Sequence, residues 1–321
     1  MRIPISTKLI TVTIAILVIA SGSITWISSD LFEKKSAEQV DVANIESAAA
    51  KAKEIDNIIN SLTEQIRTTA TLLVKETNLG DKNTLSDIDL TFERDKTMAA
   101  IEVLQVQGTS MTRVANIVKK SLKDQFPQLS PAHFQHVHVW QKFPFRSVIE
   151  GQVEIKNGSY PNSPAVITIG TPLLRDENGK ITHIAVADIY LNVLQKPFSD
   201  LSERTQFLID RSGEVLAHTQ EQLAINRVNL AQHPFIAKML AQKSPQFQTK
   251  FDDPQDKQTY FAGAVKASLN TIVISQTSEE TILEVSREVR RRAIFVAGSS
   301  ISLAIFFIFL FSMTLTSPIE K

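Results

Sequence analysis

Apolar positions along this chain follow three different patterns. From Leu9 to Ile27 (LITVTIAILVIASGSITWI) and from Ala293 to Ile319 (AIFVAGSSISLAIFFIFLFSMTLTSPI) no charge occurs. Each run suits a hydrocarbon core, which takes about 20 residues to cross. A soluble helix keeps a polar face, so residues 9–28 and 293–316 are predicted to span a lipid bilayer. Between them the period shortens. No Pro or Gly stands between Gly22 and Gly80, and Ala52, Ile55, Ile59, Leu62, Ile66 and Leu73 recur in steps of three and four, with Thr69 in the missing place. This predicts one long helix over 29–80 with a heptad seam. Such a seam packs either on its own domain or on the same helix of a second subunit.

Beyond Gly80 the pattern becomes mixed α and β. MAAIEVLQV reads as a strand, while Met111, Val114, Ile117, Val118 and Leu122 have helical spacing over 109–123. Ser130-Pro131 reads as an N-cap with proline in the first turn, opening AHFQHVHVWQ. SVIEGQVEI reads as a strand ending in the hairpin pair Asn157-Gly158, and AVITIGTPLL and KITHIAVADIYL flank a turn at Asp176-Glu177-Asn178-Gly179. After the helical connector YLNVLQKPFSDLSER the strands resume with TQFLID, a turn at Arg211-Ser212-Gly213, EVLAH, YFAGAVKA and NTIVISQ. Thr277-Ser278-Glu279-Glu280 reads as a capping box that opens a helix running into the second span. Strand, Asp-containing turn with Gly, and strand occur in both halves, which suggests a repeated architecture.

Composition narrows the function. Lys+Arg and Asp+Glu number 34 each over 321 residues, and cysteine is absent. Without a basic excess, nucleic acid is not an expected partner. Without cysteine there is no disulfide framework, thiolate zinc site or thiol nucleophile. No phosphate-binding glycine loop, nucleophile elbow or His-Glu-x-x-His occurs, so no catalytic residue and no cofactor is expected.

The candidate chemistry is sparse. Asp188 lies within the apolar strand AVADIYL, and burying a carboxylate is costly unless it faces a pocket, a backbone donor or a cation. Arg146 and Tyr160 could complete a polar pocket with it, Arg146 by gripping a carboxylate in bidentate fashion. The plainer alternatives are a capping Asp188, a surface-paired Arg146 and a packed Tyr160. His133, His136 and His138 cluster in HFQHVH, where either a helical or an extended pair could hold a metal. No carboxylate at ligand spacing completes the set, so core or solvated histidines are expected and no metal.

The long helix leaving the first span, TPLLRDENGKITHIAVADIYLNVL, FLIDRSGEVLAH and VISQTSEETIL, in that order between two spans, resemble the double Cache sensor domains of bacterial transmembrane receptors. The resemblance covers nearly the whole chain and implies an α+β fold: a long N-terminal helix and two stacked PAS-like lobes, flanked by two transmembrane helices. It places residues 1–8 in the cytoplasm, a membrane-distal lobe at 81–190, a membrane-proximal lobe at 191–278 and an exit helix at 279–292. Residues 317–321 would begin a HAMP linker, which TLTSPIEK resembles. It implies a small-molecule ligand, a homodimer and a sensor domain outside the bacterial inner membrane. The charges flanking the spans (Arg2 and Lys8 on one side, Lys34, Lys35 and Arg290-Arg291-Arg292 on the other) do not fix orientation alone, since long domains cross largely regardless of charge.

In the resembling family some members bind amino acids through a box of aromatics around an arginine, with a later aspartate. Asp188 matches that aspartate. Val148 and Ile149 stand where the box has Trp and Tyr, which argues against a free amino acid. The start MRIPISTKLI and the exit TLTSPIEK look most like receptors ending in a class III adenylate or guanylate cyclase; chemotaxis transducers, histidine kinases and diguanylate cyclases stay open. Two further alternatives are a tethered scaffold or adhesion protein and a secreted binding protein, the latter because Ala20-Ser21-Gly22 also resembles a signal cleavage site.

Overall fold

A computed structural model describes residues 5–79, 82–108, 110–127, 133, 137–139, 142–199, 204–254 and 256–316. Helix α1 runs unbroken over Ile5–Leu79 and α8 over Glu279–Thr316. Both contain stretches long and apolar enough to cross a membrane. An N-cap opens α8: the Ser278 hydroxyl oxygen accepts the Thr281 N–H at 3.2 Å. Ser278 itself is the cap, one residue later than the capping-box reading would put it.

Two five-stranded antiparallel sheets lie between the helices. The first holds β1 (Met98–Gln107), β2 (Ser110–Val118), β3 (Glu154–Asn157), β4 (Val166–Arg175) and β5 (Ile181–Tyr190). The second holds β6 (Thr205–Ile209), β7 (Val215–His218), β8 (Gln246–Asp252), β9 (Thr259–Lys266) and β10 (Ile272–Ser278). Their spatial orders are β2-β1-β5-β4-β3 and β7-β6-β10-β9-β8. Numbered within each sheet, both are 2-1-5-4-3, so the repeated architecture is a repeat of topology.

The two Asp-Gly turns are not equivalent within that repeat. The first joins strands four and five of its sheet, with Gly179 at φ 78° and the Asp176 carboxylate accepting the N–H groups of Asn178 and Lys180. The second joins strands one and two, with Gly213 at φ 81° and Asp210 accepting from Ser212 and Glu214. A Cβ at Gly213 would stand 2.7 Å from the Ala231 nitrogen, so glycine is required there for space as well as for φ.

The chain divides into two compact units. One, Asn44–Thr249 with Ala262–Gln276, holds the first sheet, most of the second and the outer half of α1. The other comprises the chain ends and Lys250–Phe261. In the first unit the α1 seam is buried by the chain itself: Ala52, Ile55, Ile59, Leu62, Ile66 and Leu73 are all at most 4 % exposed, and Ala70 at 0 % fills the place expected of Thr69. Packing on its own domain is therefore the arrangement seen. Along that length α1 is pinned to both sheets. Ser47 accepts from the Gln206 amide at 2.6 Å, Asp56 accepts the Ser268 N–H at 2.7 Å, and Arg67 donates to the Thr171 hydroxyl at 3.1 Å. Gly263 makes this approach possible, since a Cβ there would lie 2.7 Å from the Ile45 nitrogen.

Three local expectations fail. Residues 110–118 form β2 rather than a helix; the helical spacing ends in the short α3 (Lys120–Gln125). Pairing with the buried strand β1 decides this, because β1 offers a ladder from Ala100↔Val118 to Gln107↔Ser110, broken only by a register shift between Val103 and Leu104. The first half of SVIEGQVEI is a helical turn, α4 (Phe145–Ile149), closed by Gly151 at φ 102°. Asn157-Gly158 is no tight hairpin: β3 and β4 are paired across a longer connection, from Asn157↔Ile167 to Glu154↔Gly170. Ser130-Pro131, His136 and the expected HAMP junction at 317–321 lie outside the described residues.

Candidate functional site

The first sheet gathers a buried ionic centre on one face. Asp188 on β5 stands directly opposite Thr168 on β4 and Ala100 on β1. Side chains on a strand alternate between faces, so Glu102, two residues beyond Ala100, shares the face of Asp188 and Thr168. The same parity carries Leu104, Ile184 and Val186, which cluster with Phe143 and Val148. That face is covered. A Cβ at Gly170 would lie 2.7 Å from the Phe143 ring, so this glycine lets the ring settle on the sheet.

Between sheet and cover sits His138, 1 % exposed. Its Nε2 lies 3.1 Å from both Asp188 carboxylate oxygens and its Nδ1 lies 3.0 Å from Glu102 Oε1. The Thr168 hydroxyl donates to Asp188 at 2.6 Å and Arg113 Nε donates to Glu102 at 3.3 Å. Burial alone would favour neutral imidazole; the two carboxylates and their hydrogen bonds outweigh it and raise the His138 pKa from 6.5 to about 10. His138 is therefore an imidazolium at neutral pH, donating from both nitrogens. Two cations face two anions, and the centre is neutral.

The sequence-derived candidates separate. Asp188 is 1 % exposed, and His138 and Thr168 occupy the space above it. Arg146, on α4, has a side chain 93 % exposed and paired with Glu150 one turn on, at 2.9 Å. Tyr160 lies elsewhere again, edge-on to His133 with ring centroids 5.8 Å apart. The structure brings none of the three together. Among the described residues no group of three His, Asp or Glu side chains could hold a metal; His138 spends both nitrogens on carboxylates.

Tyr160 lines a groove of about 880 Å³ where the two lobes meet. The β3–β4 connection of the first lobe contributes residues 159–163 and Ala165, and the second lobe Glu214, Ile225, Asn226, Arg227 and Asn229. Beside the groove an ion network joins the lobes. Lys156 on β3 reaches Asp210 at 2.9 Å and Glu214 at 3.5 Å, and Arg227 closes on the other Glu214 oxygen. Asn157, fully buried, donates to the carbonyls of Val215 at 2.8 Å and Ala224 at 2.7 Å. The sequence reading missed this seam; the signal was a polar residue, Asn157, closing the strand EIKN.

In the second sheet His218 stacks on Phe207, with centroids 5.1 Å apart, and its Nδ1 accepts the Gln220 N–H at 2.8 Å. Burial lowers its pKa to about 4, so it is neutral and structural.

No family model and no curated protein matches this sequence. The fold does match solved structures. The extracellular domain of a protein described provisionally as a histidine kinase superposes with a TM-score of 0.52 at 11 % identity, covering 78 % of this chain and 98 % of that one. A second such extracellular domain gives 0.52 at 13 %, covering 74 % and 97 %. The ligand-binding domain of the Pseudomonas fluorescens chemoreceptor CtaA, in complex with L-isoleucine, gives 0.49 at 14 %, covering 77 % and 96 %. The first two carry the fold: a long helix followed by two antiparallel five-stranded lobes, as in those two extracellular domains.

Proposed function

We propose that this chain is the ligand-sensing, extracytoplasmic part of a two-span bacterial receptor, with a small-molecule ligand and a homodimeric assembly in the inner membrane. The observation that carries the reading is the placement of the two lobes, in chain order, between helices that each hold a candidate span. In this reading a ligand shifts a pre-existing equilibrium between two placements of α8, and the second span passes the displacement to a cytoplasmic output. A class III adenylate or guanylate cyclase is the output that the two chain ends resemble; a chemotaxis transducer or histidine kinase fits the fold equally well. Asp188, Tyr160 and Arg146 remain proposed contributors to ligand response, with unequal geometry: Tyr160 lines an open groove, Asp188 is enclosed, and Arg146 faces solvent.

Topology is the first test. The chain has no cysteine, so single substitutions Asn178→Cys in the exposed Asp-Gly turn and Ser6→Cys before the first span report without background. In intact cells a membrane-impermeant maleimide should label the first and spare the second. Labelling of Ser6→Cys alone would reverse the proposed orientation, and labelling of both would overturn the two-span reading. A fusion of the chain to a histidine-kinase output then tests sensing, the expected result being a ligand-dependent change in autophosphorylation.

A further inference from the structure

The groove at the meeting of the lobes has the attributes of a binding site. Its volume, about 880 Å³, lies inside the roughly 300–1,000 Å³ range of small-molecule sites, which form preferentially where domains meet. The lining is polar, with the hydroxyls of Ser159, Ser163 and Tyr160 and the amides of Asn226 and Asn229. Part of that capacity is spent within the chain: Ser159 and Ser163 donate to the carbonyls of Val166 and Tyr160, Asn226 Oδ1 accepts from Gln222, and Asn229 donates to the Ser212 carbonyl and accepts the Ala231 N–H. The serine hydroxyl oxygens can still accept, and the Asn226 N–H groups can donate. Its charge is closed. Glu214 is held by Arg227 and Lys156, and Lys156 also faces Asp210, so two cations meet two anions. A charged ligand would have to open one of these pairs and leave its partner buried and uncompensated, which is costly. A neutral ligand would not.

By contrast, the buried polar centre of the first sheet offers no vacancy, because His138 and Thr168 occupy the acceptors of Asp188. We propose that the inter-lobe groove is the ligand seat and that it takes a neutral, hydroxyl-rich small molecule of sugar size. This deepens the sensing reading and rests on it. The tyrosine ring supplies an apolar surface for the C–H face of such a molecule, while the Asn226 N–H groups and the hydroxyl oxygens of Ser159 and Ser163 meet its hydroxyls as donors and acceptors. Because the lining comes from both lobes, a bound molecule bridges them beside the Lys156 network.

The test uses the full chain in lipid nanodiscs, titrated calorimetrically with glucose, galactose, maltose and trehalose, and with alanine, a zwitterion, and glutamate, a net anion, as comparators. At least one sugar should bind. Tyr160→Ala and Asn226→Ala should each weaken it about tenfold or more, with unfolding temperatures close to that of the parent. Asn226 is exposed, so its variant remains informative if Tyr160→Ala fails to fold. Binding of no sugar, or of a sugar with equal affinity in both variants, overturns the proposal. Alanine or glutamate binding that ignores both variants overturns the groove while the sensing reading stands. Sugar binding at the groove without any change in the output of the kinase fusion supports the groove and overturns sensing.

Discussion

Replacing His138 with glutamine removes the cation on which the first lobe closes. The size of the effect follows from the geometry. The imidazolium is 1 % exposed and sits between two carboxylates, themselves 1 % and 6 % exposed. Raising an imidazole from its ordinary 6.5 to about 10 corresponds to about 5 kcal/mol, at 1.36 kcal/mol for each tenfold change. Removing one partner of a buried ion pair independently suggests about 3–5 kcal/mol. For a unit of this size a loss of about 4 kcal/mol lowers the unfolding temperature by roughly 10 °C or more.

The pH dependence has a definite sign. A group whose folded pKa is raised contributes stability that is fully present below its unfolded value and is lost as pH rises through the folded one. The parent should therefore lose about 1.4 kcal/mol per pH unit between about 6.5 and 10, and His138→Gln should not share that slope. Hydrogen exchange at the β1 and β5 amides, read from pH 6 to 9 after correction for intrinsic exchange, measures the local opening energy directly. A variant that unfolds within 2 °C of the parent, or that keeps the parent's slope, would refute the assignment of His138 as the buried cation.

Other perturbations have equally definite outcomes. Lys156→Met leaves Asp210, 3 % exposed at its side chain, without its cation and should cost about 3 kcal/mol, measured by denaturant unfolding. Asn157→Leu breaks two buried inter-lobe hydrogen bonds and should cost about 2–4 kcal/mol; an unchanged denaturation midpoint would show that these bonds do not hold the lobes. Gly263→Ala drives a Cβ against the α1 backbone and should destabilise by about 1–3 kcal/mol, most visibly as faster exchange in β9 and β10. His218 is held neutral, its folded pKa depressed from 6.5 to about 4, so its contribution is present above pH 6.5 and lost as pH falls toward 4. His218→Phe should flatten that acid limb in thermal unfolding.

Much of the fold was legible because its determinants are local or periodic. The spans, the seam from Ala52 to Leu73 and the strands β4, β5, β6, β7, β9 and β10 each carry their own apolar pattern. The failures lie where tertiary pairing outweighs local period. Residues 111–118 space their apolar groups like a helix, yet β1 presents an open edge and recruits them as β2. The strand β8, QFQTKFD, alternates between exposed and half-buried positions but lacks the β-branched run that makes a strand conspicuous.

Asp188 was conspicuous as a charge within an apolar strand, and the same signal sits in MAAIEVLQV at Glu102. Taken together, two carboxylates in apolar strands require a buried cation, and the HFQHVH cluster was the nearest supply. What sequence could not give is which histidine answers: that depends on the register that sets Ala100 opposite Asp188 and so brings Glu102 onto the same face.

The hydrogen bonds of α1 constrain how a signal could travel. A single helix contacts the second lobe through Ser47 and Asp56 and the first through Gln65 and Arg67. At 1.5 Å per residue these anchors extend along roughly 30 Å of one rod. A rod fixed to both lobes cannot slide against one without moving the other, so a ligand held only within the first lobe would have to deform a continuous helix to be felt elsewhere. A molecule held between the lobes acts instead on the contacts that already join them, Lys156 with Asp210 and Glu214, and Asn157 with the carbonyls of Val215 and Ala224. Those contacts are an ion network and a pair of hydrogen bonds, and polar contacts of this kind can exchange partners when two packed elements shift.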